Sequence, residues 1–242
     1  HIIKAEEEAY GRKEEAPLSD FDISFSHVSF AYEEGQKVLS DVSFHIPQGK
    51  IFGILGGTGS GKSTVTQLLA RFYELKEGEG SISLGGQDIR EIPLEILRRN
   101  VAMVLQEPFL YSRTIKENIA ASNPDATFEE IRNAAKIACV DDAIMSFPDG
   151  YDTLVGERGA IARMLLQKAP VLIFDDSLSA VDAETDSLIR KALSVNMKGS
   201  TVILISHRIT TLMAADEIMV LKQGRAEEMG THSELIAKNG IY

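Results

Sequence analysis

The stretch Gly56-Gly57-Thr58-Gly59-Ser60-Gly61-Lys62-Ser63-Thr64 constrains this chain more than any other. It matches the pattern G-x-x-x-x-G-K followed by Ser or Thr, a loop built to hold phosphate. Ile51-Phe52-Gly53-Ile54-Leu55 before it is short, apolar and strand-like, and Val65 to Phe72 after it reads as a helix. Strand, glycine loop, helix is the context that separates this motif from a flexible glycine linker. The glycines let the backbone fold tightly enough for its N–H groups to point at a polyphosphate. The new helix adds the positive end of its dipole. The pattern assigns Lys62 to the β- and γ-phosphates and the Ser63 hydroxyl to Mg²⁺, with Gly57, Thr58, Gly59, Ser60, Gly61 and Thr64 forming the rest of the cradle.

The 242 residues suffice for one large domain or two small ones, with 44% hydrophobic and 25% charged residues. A net charge of −11 argues against nucleic acid as a partner, because an acidic surface repels phosphate backbones. The single cysteine, Cys139, has no internal disulfide partner and reads as an inert core residue of a reducing compartment. No apolar run approaches the roughly 18 residues that span a bilayer. Residues 1–19 are rich in Glu and Lys and read as a solvated linker. The chain opens on His1 and ends on Tyr242 just after a helix-like stretch, which reads as part of something longer.

Residues from Phe21 alternate: Phe21, Ile23, Phe25, then Val28, Phe30, Tyr32. That is a strand with a bulge near Ser26-His27. Val38 to Ile46 is a second strand, and Ser81 to Ile89 folds as a hairpin about Gly85-Gly86. The first third is therefore an antiparallel β-subdomain wrapped around the phosphate loop. Val101–Leu105, Val171–Phe174 and Val202–Ile205 are of another kind: continuous apolar runs, as expected of parallel strands covered on both faces. They end in Gln106, Asp175 and Ser206-His207. Ligands of open α/β sheets bind outside the carboxyl ends of the strands, so these polar residues converge with the loop on one place. A helical insertion over about 107–165 separates Gln106 from Asp175; Thr127-Phe128-Glu129-Glu130 is a capping box at the head of one of its helices. The expected fold is α/β: a phosphate-loop core with a mainly parallel sheet, an N-terminal antiparallel β-subdomain and an inserted α-helical subdomain.

The chemistry follows from the strand ends. Asp175, and Gln106 through its carbonyl, are candidate Mg²⁺ ligands beside Ser63. Asp176 is placed to orient or deprotonate the water that attacks a γ-phosphate. Asp is one methylene shorter than Glu, and misplacing a base by about an ångström costs roughly 10²-fold, so the site binds ATP well and cleaves it slowly. His207 can touch the γ-phosphate or the water. Tyr32 can stack on adenine, or can equally be an edge tyrosine of its sheet.

These pieces, in this order, resemble the ATP-binding domain of ABC transporters over residues 20–242. Phe30-Ala31-Tyr32 resembles the adenine-stacking aromatic, Val104-Leu105-Gln106-Glu107 the Q-loop, Leu172-Ile173-Phe174-Asp175 the Walker B strand, Ser179-Ala180-Val181-Asp182 the D-loop and Ser206-His207-Arg208 the switch histidine. Thr153 to Gly159 resembles the X-loop of exporters. The resemblance implies an ATPase with Mg²⁺ on the cytoplasmic face of a bacterial membrane. It also implies a second ATP-binding domain as partner and an own or associated transmembrane domain, to which Gln106 and Glu157 pass motion. A non-transport ATPase of the same superfamily and a non-hydrolysing ATP-binding module are the competing readings. Two departures stand out. Asp176 occupies the place of the family's catalytic Glu, as in the degenerate half of bacterial heterodimeric multidrug exporters, the BmrC-like group. The signature L-S-G-G-Q is missing between Gly159 and Ala160 although both flanks match. Residues left out at that join, which we expect, an engineered deletion and natural loss are three origins for it.

Overall fold

In a computed structural model the described residues are 18–33, 35–104, 113–138, 140–153, 167–175 and 199–242. The loops expected around Gln106, Glu157, Asp176 and Asp182, the join at Gly159, Cys139 and the N-terminal linker lie outside them.

Two sheets carry the fold. The first is antiparallel, in the order β2-β1-β4-β5, from β1 (Ile23–Phe30), β2 (Leu39–Ile46), β4 (Ser81–Leu84) and β5 (Gln87–Asp88). The expected bulge in β1 is present: its register against β2 shifts between Phe25 and Val28, and His27 takes a φ of 51°. The second sheet runs β10-β9-β3-β8-β7-β6. Its strands β3 (Ile51–Leu55), β6 (Val101–Val104), β7 (Val171–Asp175), β8 (Thr201–Ser206) and β9 (Glu217–Lys222) are parallel to their neighbours. Only β10 (Arg225–Gly230) at one edge runs antiparallel, as a hairpin with β9. The chain thus has the α/β phosphate-loop fold, with a mostly parallel sheet beside an antiparallel one.

The continuous apolar strands are explained by their two covered faces. Phe52, Ile54, Val171, Ile173, Ile203 and Ile205 pack toward the antiparallel sheet and α1 (Lys62–Leu69). Leu172, Phe174, Val202, Leu204, Ile218 and Val220 point the other way, toward α3 (Ile115–Ala120), α4 (Phe128–Ile137) and α5 (Asp141–Met145). Alternate residues of one strand serve two cores, so a polar position at either face would leave an unmatched group. The two sheets are joined by stacked rings. Phe25 lies 4.5 Å from Phe44, and Phe44 lies 5.0 Å from Phe52.

Helix ends follow local rules. Thr114, Thr127 and Thr231 each close a capping box with Glu117, Glu130 and Glu234 at the heads of α3, α4 and α7 (His232–Lys238). The sequence reading passes over α2 (Leu94–Asn100), which starts directly after Pro93. α6 (Ile209–Leu212) is a single turn beyond β8. In the helical part the carboxylate of Asp141, buried, accepts from Tyr151 Oη at 2.7 Å and from Arg132 Nε at 3.0 Å. Burial pushes that carboxyl up, but the Arg132 and Tyr151 donors outweigh it and hold it below its usual range. Burial, and then Asp141, raises the Tyr151 phenol. Asp216 is held low in the same way: burial opposes, while the Ile51 N–H and the Lys50 ammonium prevail. Among the described residues no helix is long and apolar enough to cross a membrane.

Candidate functional site

β3 ends at Leu55, and the glycine loop leads from it into α1. Gly59 and Gly61 take φ values of 76° and 101°, a region that L side chains rarely adopt. At Gly61 a Cβ would also fall 2.7 Å from Leu39 Cδ2. α1 begins at Lys62 with no side-chain cap and no acidic residue in its first turn. No side chain caps its first turn, and the dipole favours an anion there. Lys62 curls back over the loop, its ammonium donating to Gly56 O at 2.7 Å and Gly57 O at 2.8 Å. Ser60 Oγ is buried without a hydrogen-bond partner.

The loop is braced from behind. Gly224, in the β9–β10 turn, donates its N–H to Ser60 O at 3.1 Å and accepts from Ser40 N at 2.8 Å. Sequence reasoning saw only a turn at Gly224; its brace joins segments far apart in the chain, and no local pattern encodes it.

Across the sheet, Ser63 Oγ donates to Asp175 Oδ1 at 3.1 Å. Asp175 is the last residue of β7, 4% exposed. A hydroxyl and a carboxylate are hard oxygen donors of the kind Mg²⁺ takes. Together with the uncapped helix and the orphaned Ser60 hydroxyl, this pair fits a Mg²⁺–polyphosphate group. Among the described residues no cluster of three or more His, Cys, Asp or Glu could hold a metal ion by itself.

The strand register aligns the remaining positions. Leu55 pairs with Ser206 and Asp175 with Ile205, so the loop, His207 and Asp175 leave neighbouring strands at one end of the sheet. His207 is exposed just beyond β8. Gln106 and Asp176 lie outside the described residues.

Tyr32 sits past the end of β1, 46% exposed. Its hydroxyl meets Thr64 Oγ1 at 2.9 Å and donates to Gln67 Oε1 at 2.9 Å. Its ring stands nearly perpendicular to Phe30 and Tyr73, with centroids 5.1 and 4.9 Å away. Gln67 was missed in the sequence; Thr64 and Gln67 are three apart on a helix, the spacing that puts both on one face.

Comparison with known proteins agrees with this geometry. A family model described as ABC transporter matches residues 39–179. The chain is 46% identical over 233 residues to the "Uncharacterized ABC transporter ATP-binding protein YknU" of Bacillus subtilis, covering 91% of this chain and 40% of that protein. It is 46% identical over 232 residues to the human mitochondrial iron-sulfur clusters transporter ABCB7, covering 91% of this chain and 31% of that one. An ATP-dependent lipid A-core flippase of Legionella pneumophila is 44% identical, again over 91% of this chain and 39% of its own. The chain therefore spans well under half the length of these relatives. Among solved structures, a bacterial Atm1-family ABC exporter with ATP bound superposes with a TM-score of 0.89 at 36% identity, covering 96% of this chain and 43% of that one. Loop, strand ends, sheet order and relatives agree, and the chain belongs to the ABC transporter family as an ATP-binding domain of the exporter type.

Proposed function

We propose that this chain is the ATP-driven motor domain of an ABC exporter half-transporter, on the cytoplasmic face of a bacterial membrane. One observation carries the reading: the Ser63 hydroxyl at the head of the phosphate-loop helix meets the buried Asp175 carboxylate at 3.1 Å, two hard oxygens at the loop's exit. ATP binds with its triphosphate along Gly57–Thr64 and its adenine on Tyr32. Lys62 leaves the carbonyls of Gly56 and Gly57 and turns to the β- and γ-phosphates. Ser63 and Asp175, with Gln106, would hold Mg²⁺, which would supply positive charge to the phosphates. Asp176 orients the attacking water and His207 the γ-phosphate; the bond between the γ-phosphorus and the bridging oxygen breaks, giving ADP and phosphate. A second ATP-binding domain closes over the nucleotide, and closing and reopening drive a transmembrane domain through Gln106 and Glu157.

The short side chain of Asp176 favours a second, finer reading: this half contributes the slowly hydrolysing site of an asymmetric pair. The cargo we propose is a lipophilic compound such as a drug. The likeness to a lipid A-core flippase supports it, while the equally similar ABCB7 is named for iron–sulfur clusters.

The test is ATP affinity of Lys62→Ala measured by calorimetry with Mg²⁺ present. Loss of about 1.5–3 kcal/mol, the worth of a hydrogen bond to a charged group, is expected. Unchanged affinity would remove the phosphate-loop assignment. Stimulation of ATP hydrolysis by lipophilic compounds separates the exporter from a non-transport ATPase or a non-hydrolysing module.

A further inference from the structure

We propose that Gln67, with Thr64, is a positioning residue that anchors the Tyr32 ring, through its hydroxyl, to the same helix whose first turn binds phosphate. This rests on the reading of Tyr32 as the adenine platform and adds to it a residue that acts through that ring. Tyr32 belongs to the segment that follows β1 in the antiparallel sheet, and Gln67 to α1 beside the parallel sheet. The two are 35 residues apart in sequence, yet the Tyr32 hydroxyl donates to Gln67 Oε1 at 2.9 Å and shares a second hydrogen bond with Thr64 Oγ1, also at 2.9 Å.

A half-exposed tyrosine would otherwise sample several ring orientations, and stacking a base on it would require fixing one of them. Two hydrogen bonds fix the far end of the ring, and the near-perpendicular Phe30 and Tyr73 rings limit its tilt. The ordering cost of one such side chain, about 0.5–1.5 kcal/mol, is then met before the ligand arrives. Thr64 and Gln67 are also fixed relative to Lys62 and Ser63, because all four lie on one eight-residue helix. The distance from base platform to phosphate cradle is thereby set by a rigid element rather than by a loop.

The experiment compares Mg²⁺-ATP with Mg²⁺ and inorganic triphosphate, which fills the loop but has no base, on the full chain by calorimetry. Gln67→Leu should weaken ATP about three- to tenfold and leave triphosphate unchanged. Gln67→Glu keeps an acceptor for the phenol and should restore ATP affinity to within about twofold. Tyr32→Phe, which removes both hydrogen bonds, should lose at least as much as Gln67→Leu, and the double variant should be no weaker than Tyr32→Phe alone. Equal loss of ATP and triphosphate in Gln67→Leu would show a role through helix packing and overturn the proposal, as would unchanged ATP affinity. Tyr32→Ala separates the layers. If it leaves ATP binding intact, the base contact itself is wrong and the anchor falls with it. If it weakens ATP while Tyr32→Phe and Gln67→Leu do not, the base contact stands and only the anchor is wrong.

Discussion

Ser63 and Asp175 are 112 residues apart in the chain and meet at 3.1 Å, hydroxyl to carboxylate. One lies in the first turn of the phosphate-loop helix and the other closes β7, a strand separated from β3 by β8. The contact joins the two ends of the site across the sheet.

Removing either oxygen should act through the metal. Ser63→Ala and Asp175→Asn are expected to lower the affinity for Mg²⁺-ATP by about tenfold to a hundredfold, the worth of a lost charged hydrogen bond or ligand. Affinity for ATP in the presence of a chelator should change little. Calorimetry with and without Mg²⁺ distinguishes these; equal losses under both conditions would place the effect on the fold instead.

Gly224 offers a test away from the ligand. Its φ of 75° and the Val38 carbonyl lying where a Cβ would go leave no room for a side chain. Gly224→Ala should cost about 1–3 kcal/mol in urea unfolding and should also weaken triphosphate binding, because the turn braces Ser60. Lost stability with normal triphosphate affinity would mean the brace does not reach the loop.

The Asp141 network predicts a pH response. Tyr151→Phe should cost about 1 kcal/mol, and Asp141→Asn about 1–3 kcal/mol. The carboxyl is held low in the fold, so its contribution is present above the ordinary carboxylate range and is lost as pH falls through the lower native value. The Tyr151 phenol is raised, so its contribution is present below the ordinary phenol value, about 10, and declines as pH rises beyond it. Thermal melts of the chain and of Asp141→Asn against pH check both limbs; the variant's acid limb should be flatter.

Asp176→Glu tests the proposal of a slow site. With the longer carboxylate the water can be reached, and turnover at this site should rise by about tenfold to a hundredfold with little change in ATP affinity. Phosphate release by the assembled complex is the readout, and an unchanged rate would mean another group handles the water.

Much of this fold was legible in the chain. Val171–Phe174 and Val202–Ile205 could only be strands covered on both faces, and the glycine loop fixed what lay between β3 and α1. Thr127 announced its helix by pairing with Glu130. What was hidden had no local period. β10 reads Arg225-Ala226-Glu227-Glu228-Met229-Gly230, an edge strand whose charged side chains resemble a loop and guard against further pairing. α2 is short and mixed in composition, so only the Pro93 stop-and-start marks it. The candidate site divides likewise. Lys62, Ser63 and Asp175 follow from motif and strand end, whereas Gln67 and Gly224 act through contacts across 35 residues and more.

Tyr32 follows β1 of the antiparallel sheet and the phosphate loop follows β3 of the parallel one, and the Tyr32–Gln67 hydrogen bond crosses the seam between them. A nucleotide held by both would add a removable link to a seam already closed by the Phe25, Phe44 and Phe52 rings and by the Ser40–Gly224 hydrogen bond. Ligand at a hundred times its dissociation constant adds about 2.7 kcal/mol to the folded state. A nucleotide spanning the seam would then raise the melting temperature of the chain with the logarithm of its concentration.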